Sequence, residues 1–205
     1  MPKTSSEISF PSLPRIKQLS SYSCGPAVLE MLLRFEGVYI NQTKIINAIT
    51  ATNKLKDQGM TIEELAIATD LVAPGMNFWF KRQSTIEELA ALINEHHRPV
   101  GVEWQGVFED DDEEEETDDE DPGHYSIITG INRRENWVTL ADPYKTYAGK
   151  DRCFSVLKFE RRWWDINEVL DPKTKKPRQV DDYHALFIVL PKKENYPEKF
   201  GMVKS

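Results

Sequence analysis

The feature that most constrains the fold is a change of texture near Pro99. Before it, apolar residues recur at helical spacing behind helix-start signals, whereas after it they come in short runs rich in β-branched and aromatic residues. A chain divided in this way does not build a single kind of layer. The pattern predicts an α+β domain over 17–192, with a helical lobe over 17–98 followed by an antiparallel β lobe over 99–192. A Ser- and Pro-rich arm is expected over 1–16 and a tail over 193–205.

In the first half, Gly25-Pro26 opens an apolar helix carrying Ala27, Val28, Met31, Leu32, Leu33 and Phe35, with Gly37 as its stop. Apolar residues on most of its sides predict burial. Asn41-Gln42-Thr43 is suited to cap a second helix bearing Ile45, Ile46 and Ile49. Thr61 with Glu64, and Thr85 with Glu88, have the spacing at which a hydroxyl and a glutamate satisfy each other's free backbone donors, so two further helices are expected to start there. In the second half Val100–Trp104, His124–Ile131, Trp137–Ala141 and His184–Leu190 read as strands.

With 205 residues, of which 40% are hydrophobic, the chain is large enough for one real core. The formal charge of −8 is concentrated, because Glu109–Asp121 holds twelve acids among thirteen residues. The rest has 22 acids against 26 Lys and Arg, about +4, too mild an excess to argue for nucleic acid. The acidic run predicts a solvated, disordered insertion, suited to a basic partner or to screening a nearby site. No apolar run is long enough to span a bilayer, and the first residues lack the pattern of a secretory signal, so a cytoplasmic protein is expected. Two cysteines, Cys24 and Cys153, do not make a disulfide framework, and free thiols in a reducing compartment fit better. Phosphate-cradling glycine loops and zinc-type cysteine spacings are missing from the sequence, so neither a cofactor nor a metal is called for.

Cys24 stands at the start of the first helix, where unpaired N–H groups and the positive end of the helix dipole favour a thiolate. Gly25 lets a substrate backbone approach closely. Of the four histidines, His96 and His97 close a helix and His184 opens a late strand, all ordinary structural positions. His124 differs in having a partner. If 124–130 and 136–142 form a hairpin through a five-residue loop, Gly130 faces Asn136, Ile128 faces Val138, Ser126 faces Leu140, and His124 faces Asp142. Directly opposed Cβ atoms lie about 4.5–5.5 Å apart, close enough for a carboxylate to accept an imidazole proton.

These residues bring a resemblance into view. Gln18 followed after five residues by Cys24-Gly25-Pro26-Ala27 resembles the opening motif of the double-glycine bacteriocin-processing peptidases and their stand-alone relatives, within the papain-like superfamily. Gly123-His124-Tyr125-Ser126-Ile127-Ile128-Thr129-Gly130 resembles their histidine strand, Asp142-Pro143 their Asp-Pro element, and Phe159 with Trp163 the aromatic helix after it. The resemblance runs over roughly residues 17–190, and departs in the acidic insertion and in the lack of attached transporter segments. It implies a papain-like fold and hydrolysis of a peptide or isopeptide bond through a thioester. It further implies Cys24 as nucleophile, His124 as base, Asp142 as the residue orienting it, and Gln18 as an oxyanion donor beside the backbone N–H of Cys24. Gly25, Gly123 and Trp163 are the expected substrate contacts, although adjacent tryptophans such as Trp163 and Trp164 often divide into one core anchor and one surface cover. Acyl transfer by the same triad, and a non-catalytic binding module on the same fold, are the alternatives.

Overall fold

The architecture is that of a computed structural model, which describes residues 10–49, 59–107, 123–170, 174 and 176–204. The expected disordered insertion over 109–121 lies outside the described residues. The elements run α1 (Cys24–Phe35), α2 (Gln42–Ile49), α3 (Ile62–Val72), β1 (Met76–Lys81), α4 (Ile86–Asn94), β2 (Val100–Gln105), β3 (Gly123–Asn132), β4 (Trp137–Ala141), β5 (Asp151–Phe154), α5 (Val156–Arg162), β6 (Trp164–Leu170), β7 (Pro177–Tyr183), β8 (Leu186–Pro191), a 3₁₀ turn (Tyr196–Phe200) and β9 (Val203–Lys204).

An antiparallel sheet in the order β5-β4-β3-β2-β8-β1-β9 forms the frame, and β6 and β7 make a separate two-stranded ribbon. The alternation of strand side chains divides the core between the two faces of the sheet. Phe78, Tyr125, Ile127, Phe187 and Val189 pack with α1, α2 and α3. Trp79, Val102, Trp104, Ile128, Leu140, Leu186 and Ile188 pack with α4 and α5. The α+β class therefore holds, with helices on both faces of the sheet.

Helix α1 lies within the first of these layers, buried continuously from Cys24 to Leu33. Its sequence favours this, since a helix apolar on most of its sides has little face to show to water. Both capping boxes form: Thr61 accepts from the Glu64 N–H and Thr85 from the Glu88 N–H, while each glutamate accepts from the N–H of its threonine. Asn41 Oδ1 caps α2 by accepting from Lys44 N at 2.9 Å.

Three expectations are corrected. The helical lobe over 17–98 contains a strand, β1, whose Phe78-Trp79-Phe80 run pairs with β8 and β9. Its aromatic run after Pro74-Gly75 is a local strand signal masked by its place among helices, and its pairing partners come from the far end of the chain. The arm and tail are not peripheral either. Leu13 is 2% exposed in the core, Arg15 pairs with Asp151 at 2.8 Å, Met202 is 4% exposed, and β9 joins the sheet.

The third correction is the register of the β3–β4 hairpin. Asn132 pairs with Trp137, Ile131 with Val138, Gly130 with Thr139 and, beyond a bulge, Ile128 with Leu140 and Ile127 with Ala141. The turn is tighter than expected because Asn132 Oδ1 accepts from Arg134 N at 3.0 Å and Glu135 N at 3.1 Å, while Asn136 closes it at φ 53°. His124 is therefore not cross-strand from Asp142, which lies past the end of β4.

Thr61→Ala and Thr85→Ala should each destabilise the protein by about 1 kcal/mol, the usual cost of losing an N-cap hydroxyl, read as a lower urea midpoint with an unchanged slope.

Candidate active site

Cys24 opens α1 at 8% exposure. Ser23 offers no side-chain cap, and the backbone N–H groups of Gly25 and Tyr125 reach the Cys24 sulfur. His124, the second residue of β3, hydrogen-bonds Cys24, and its Nε2–H donates to Asp142 Oδ1 at 2.8 Å. The two side chains thus meet despite the shifted register, because Asp142 reaches across from beyond the strand end. Tyr144 packs edge-on to the imidazole with ring centroids 6.3 Å apart.

Burial alone would raise the Cys24 thiol, but the hydrogen bond and charge of His124, with the two backbone donors, outweigh it and hold the thiol below its ordinary value. For His124, burial opposes protonation, yet Asp142 and then Cys24 prevail and lift it to about 10. Asp142 is lowered: burial works against its ionisation, and His124, the Tyr144 N–H and Arg152 overcome it. All three directions favour a thiolate facing an imidazolium.

Gln18 sits at 6% exposure with its backbone N–H on Pro143 O at 2.8 Å, which ties it to the Asp142-Pro143 segment. Its Nε2 donates to Ser20 O at 2.7 Å, leaving a second amide hydrogen for another acceptor, and its Oε1 is buried without a partner.

Sequence reasoning missed two residues that hold these groups. Gln42, 3% exposed, accepts from Leu19 N at 3.0 Å and donates to Lys17 O at 2.9 Å, so one side chain pins the backbone on both sides of Gln18. Its own N–H is fixed by Glu30 Oε2 at 2.9 Å. Arg152 donates through Nη1 to Asp142 Oδ2 at 3.0 Å and to Val107 O at 2.6 Å, with its guanidinium 3.6 Å from the Tyr147 ring centroid. Asp142 accordingly uses Oδ1 for His124 and the Tyr144 N–H, and Oδ2 for Arg152. No spacing marks Gln42 or Arg152; each is recognisable only by what it touches.

The expected substrate contacts separate. Gly25 is buried beside Cys24, and a Cβ there would come 3.3 Å from Tyr125 Cδ2. Gly123 is exposed next to His124. Trp163 is corrected: it is fully buried, tilted against Phe159 with centroids 5.2 Å apart, and donates Nε1–H to Ala185 O at 2.9 Å, so its ring offers no surface to a substrate. Trp164 is the more exposed of the pair. Among the other histidines, His96 stacks on Tyr196 at 4.2 Å and His184 on Trp163 at 4.7 Å. Both cysteines are free.

A helix-tip thiol, an imidazole on an antiparallel strand and a carboxylate beyond the next strand form the geometry of a thiol-dependent peptidase fold. By its match over residues 10–170, the chain belongs to the Peptidase_C39 like family. Among solved structures it is similar to the peptidase domain of Streptococcus ComA, a bi-functional ABC transporter involved in a quorum sensing pathway. That likeness has a TM-score of 0.57 at 15% identity and covers 88% of this chain and 99% of the other. It is also similar to a double glycine motif protease from an AMS/PCAT transporter, solved in complex with the leader peptide. Here the TM-score is 0.54 at 15% identity, covering 87% of this chain and 91% of the other. No curated protein matches the sequence. Among the described residues no helix is long and apolar enough to cross a membrane.

The pKa directions predict that iodoacetamide alkylation of Cys24 rises at a lower pH than for an ordinary thiol; a single step at the ordinary value of 9.0 would contradict the ion pair. Arg152→Met leaves a buried Asp142 oxygen without its charged donor. It should lower stability by about 1.5–3 kcal/mol in urea unfolding, and Arg152→Lys should recover part of the loss.

Proposed function

We propose that this protein is a cysteine peptidase-like hydrolase that cleaves a peptide or isopeptide bond through a thioester acyl-enzyme. The observation that carries the reading is the unbroken set of contacts from Cys24 to His124 to Asp142 at the N-terminus of a buried helix. In this reading the Cys24 thiolate attacks the carbonyl carbon of the scissile bond. Negative charge moves to the carbonyl oxygen, where the spare Gln18 amide hydrogen and the Cys24 backbone N–H stabilise it. The His124 imidazolium gives its proton to the departing amine as the C–N bond breaks, leaving a thioester. The neutral imidazole then takes a proton from water, whose oxygen attacks the thioester and releases the acid and the thiolate. Asp142 keeps its carboxylate on Nε2, holding the ring in the tautomer and orientation that aim the other nitrogen at sulfur.

A peptide segment as substrate is supported by the family and by the leader peptide bound to one structural neighbour. A reducing compartment such as the cytoplasm suits a thiol that must stay unoxidised to act.

The test pairs a peptidyl acyloxymethyl ketone probe with turnover of a mixed peptide library. The wild type should be labelled at Cys24, as located by mass spectrometry, and should cut library members, whereas Cys24→Ala should do neither. Gln18→Ala should fold normally and turn over about a hundredfold more slowly, the usual loss for one oxyanion donor. Undiminished turnover by Cys24→Ala would end the reading.

A further inference from the structure

Gln18 is buried between two exposed residues, Lys17 and Leu19, the latter 66% exposed, so apolar packing of its neighbours does not fix the main chain there. Hydrogen bonds fix it instead. The peptide between Lys17 and Gln18 is held on both sides, its N–H by Pro143 O at 2.8 Å and its carbonyl by Gln42 Nε2 at 2.9 Å. The next peptide is held at its N–H, on Leu19, by Gln42 Oε1 at 3.0 Å. A residue has only two soft backbone dihedrals, and once the peptide planes on its two sides are set, so is the direction of its Cα–Cβ bond.

This clamp is anchored to the helix that carries the nucleophile. Gln42 is the first residue of α2, and its backbone N–H donates to Glu30 Oε2 at 2.9 Å. Glu30 lies further along α1 from Cys24, is 4% exposed, and is steadied by Arg34 at 2.6 Å. One rigid helix and the three hydrogen bonds of Gln42 therefore join the residue that bears the sulfur to the backbone of the residue that bears the amide. Such bonds tolerate little change in length.

The far end of the Gln18 side chain is set in the same way. Its Nε2 donates to Ser20 O at 2.7 Å, and Ser20 is gripped in turn by the hydroxyl of fully buried Ser23, which accepts from Ser20 N at 2.8 Å and donates to Ser20 O at 3.1 Å. Ser23 stands where a serine would ordinarily cap α1, but its side chain makes no cap and serves this turn. With one amide hydrogen committed to Ser20 O, the planar amide dictates where the other points.

We propose that Gln42 is a positioning residue of the oxyanion site, acting through Gln18 to hold its second amide hydrogen at a fixed place relative to the Cys24 sulfur. The inference deepens the hydrolase reading above and rests on it. A donor stabilises an oxyanion only where it is already aimed at the charge as this develops, and a displacement of about 1 Å can cost a hundredfold in rate. Gln42 itself touches no reacting atom. Both polar atoms of its amide are spent on the two peptides that flank a single residue, so its loss bears on the step in which charge reaches the carbonyl oxygen and not on the reactivity of the sulfur.

The experiment measures kcat and KM on a fluorogenic peptide that the wild type cuts and, beside them, the rate at which iodoacetamide alkylates Cys24, a displacement that forms an S–C bond with loss of iodide and builds no oxyanion. Gln42→Met keeps the length of the side chain and loses both polar atoms. It should lower kcat about tenfold with KM nearly unchanged, and leave the alkylation rate within about twofold. In a Gln18→Ala background the same change should cost nothing more, because the donor it positions is gone. Gln42→Glu keeps the acceptor for Leu19 N and loses the donor to Lys17 O, and carries the test should Gln42→Met not fold. Its kcat relative to the wild type should fall as pH rises and the carboxyl loses the proton it can give to Lys17 O, with circular dichroism reporting a retained fold throughout. Unchanged kcat in these variants, an equal loss with and without Gln18, or alkylation that slows as much as turnover would overturn the positioning role and leave the hydrolase reading intact. Failure of the wild type to cut any peptide would remove the hydrolase reading and this role with it.

Discussion

A thiolate is poorly tolerated at the end of a fully buried helix unless a positive charge faces it, and His124 supplies that charge here. Taking an anion out of water costs several kcal/mol, more than a helix dipole and two backbone donors return. The imidazolium offsets the remainder, but it too is buried and needs Asp142. Each charge in the series is stable only because of the next, and Arg152 ends the series by holding Asp142 from its far side. Thiolate, imidazolium, carboxylate and guanidinium together carry no net charge, which allows so polar a set to exist in so dry a place.

The same demand explains the polar residues found around it. Buried polar groups have to be paired, so each one that is present constrains its surroundings strongly. Gln42 converts that demand into position by clasping the main chain before and after Gln18. The Gln18 N–H on Pro143 O then fastens the N-terminal segment of the site to the loop that carries Asp142. Residues separated by more than a hundred positions are thereby held by main-chain and amide hydrogen bonds, which vary little in length, and not by long flexible side chains.

The β6–β7 ribbon follows a different logic. It docks on the sheet through Asn167, which bonds Glu103, and Asp165, which accepts from Gln105, and leaves Ile166 and Tyr183 largely exposed. The Asp165 carboxylate lies over Gly123, the residue before His124, and only glycine there leaves room for it.

Local chemistry settled a good deal in advance. The capping boxes at Thr61 and Thr85, the buried character of α1 and the four long strands follow from hydrogen-bond valence and apolar spacing, both properties of neighbouring residues. The pairing of His124 with Asp142 was also anticipated, but through a register that the hairpin does not have. Asn132 and Asn136 tighten the turn and a bulge shifts the pairing, effects that alternation of side chains does not reveal. The pairing of β1 and the roles of Gln42 and Arg152 depend on partners distant in the chain, and Trp163 is core because the fold closes over it. The amino-acid order determined which residues have reactive chemistry and which segments are helix or strand, because those are short-range consequences of backbone and side-chain type. Only the tertiary structure decided which polar groups are buried together, because burial and the charge balance it enforces are properties of the assembled molecule.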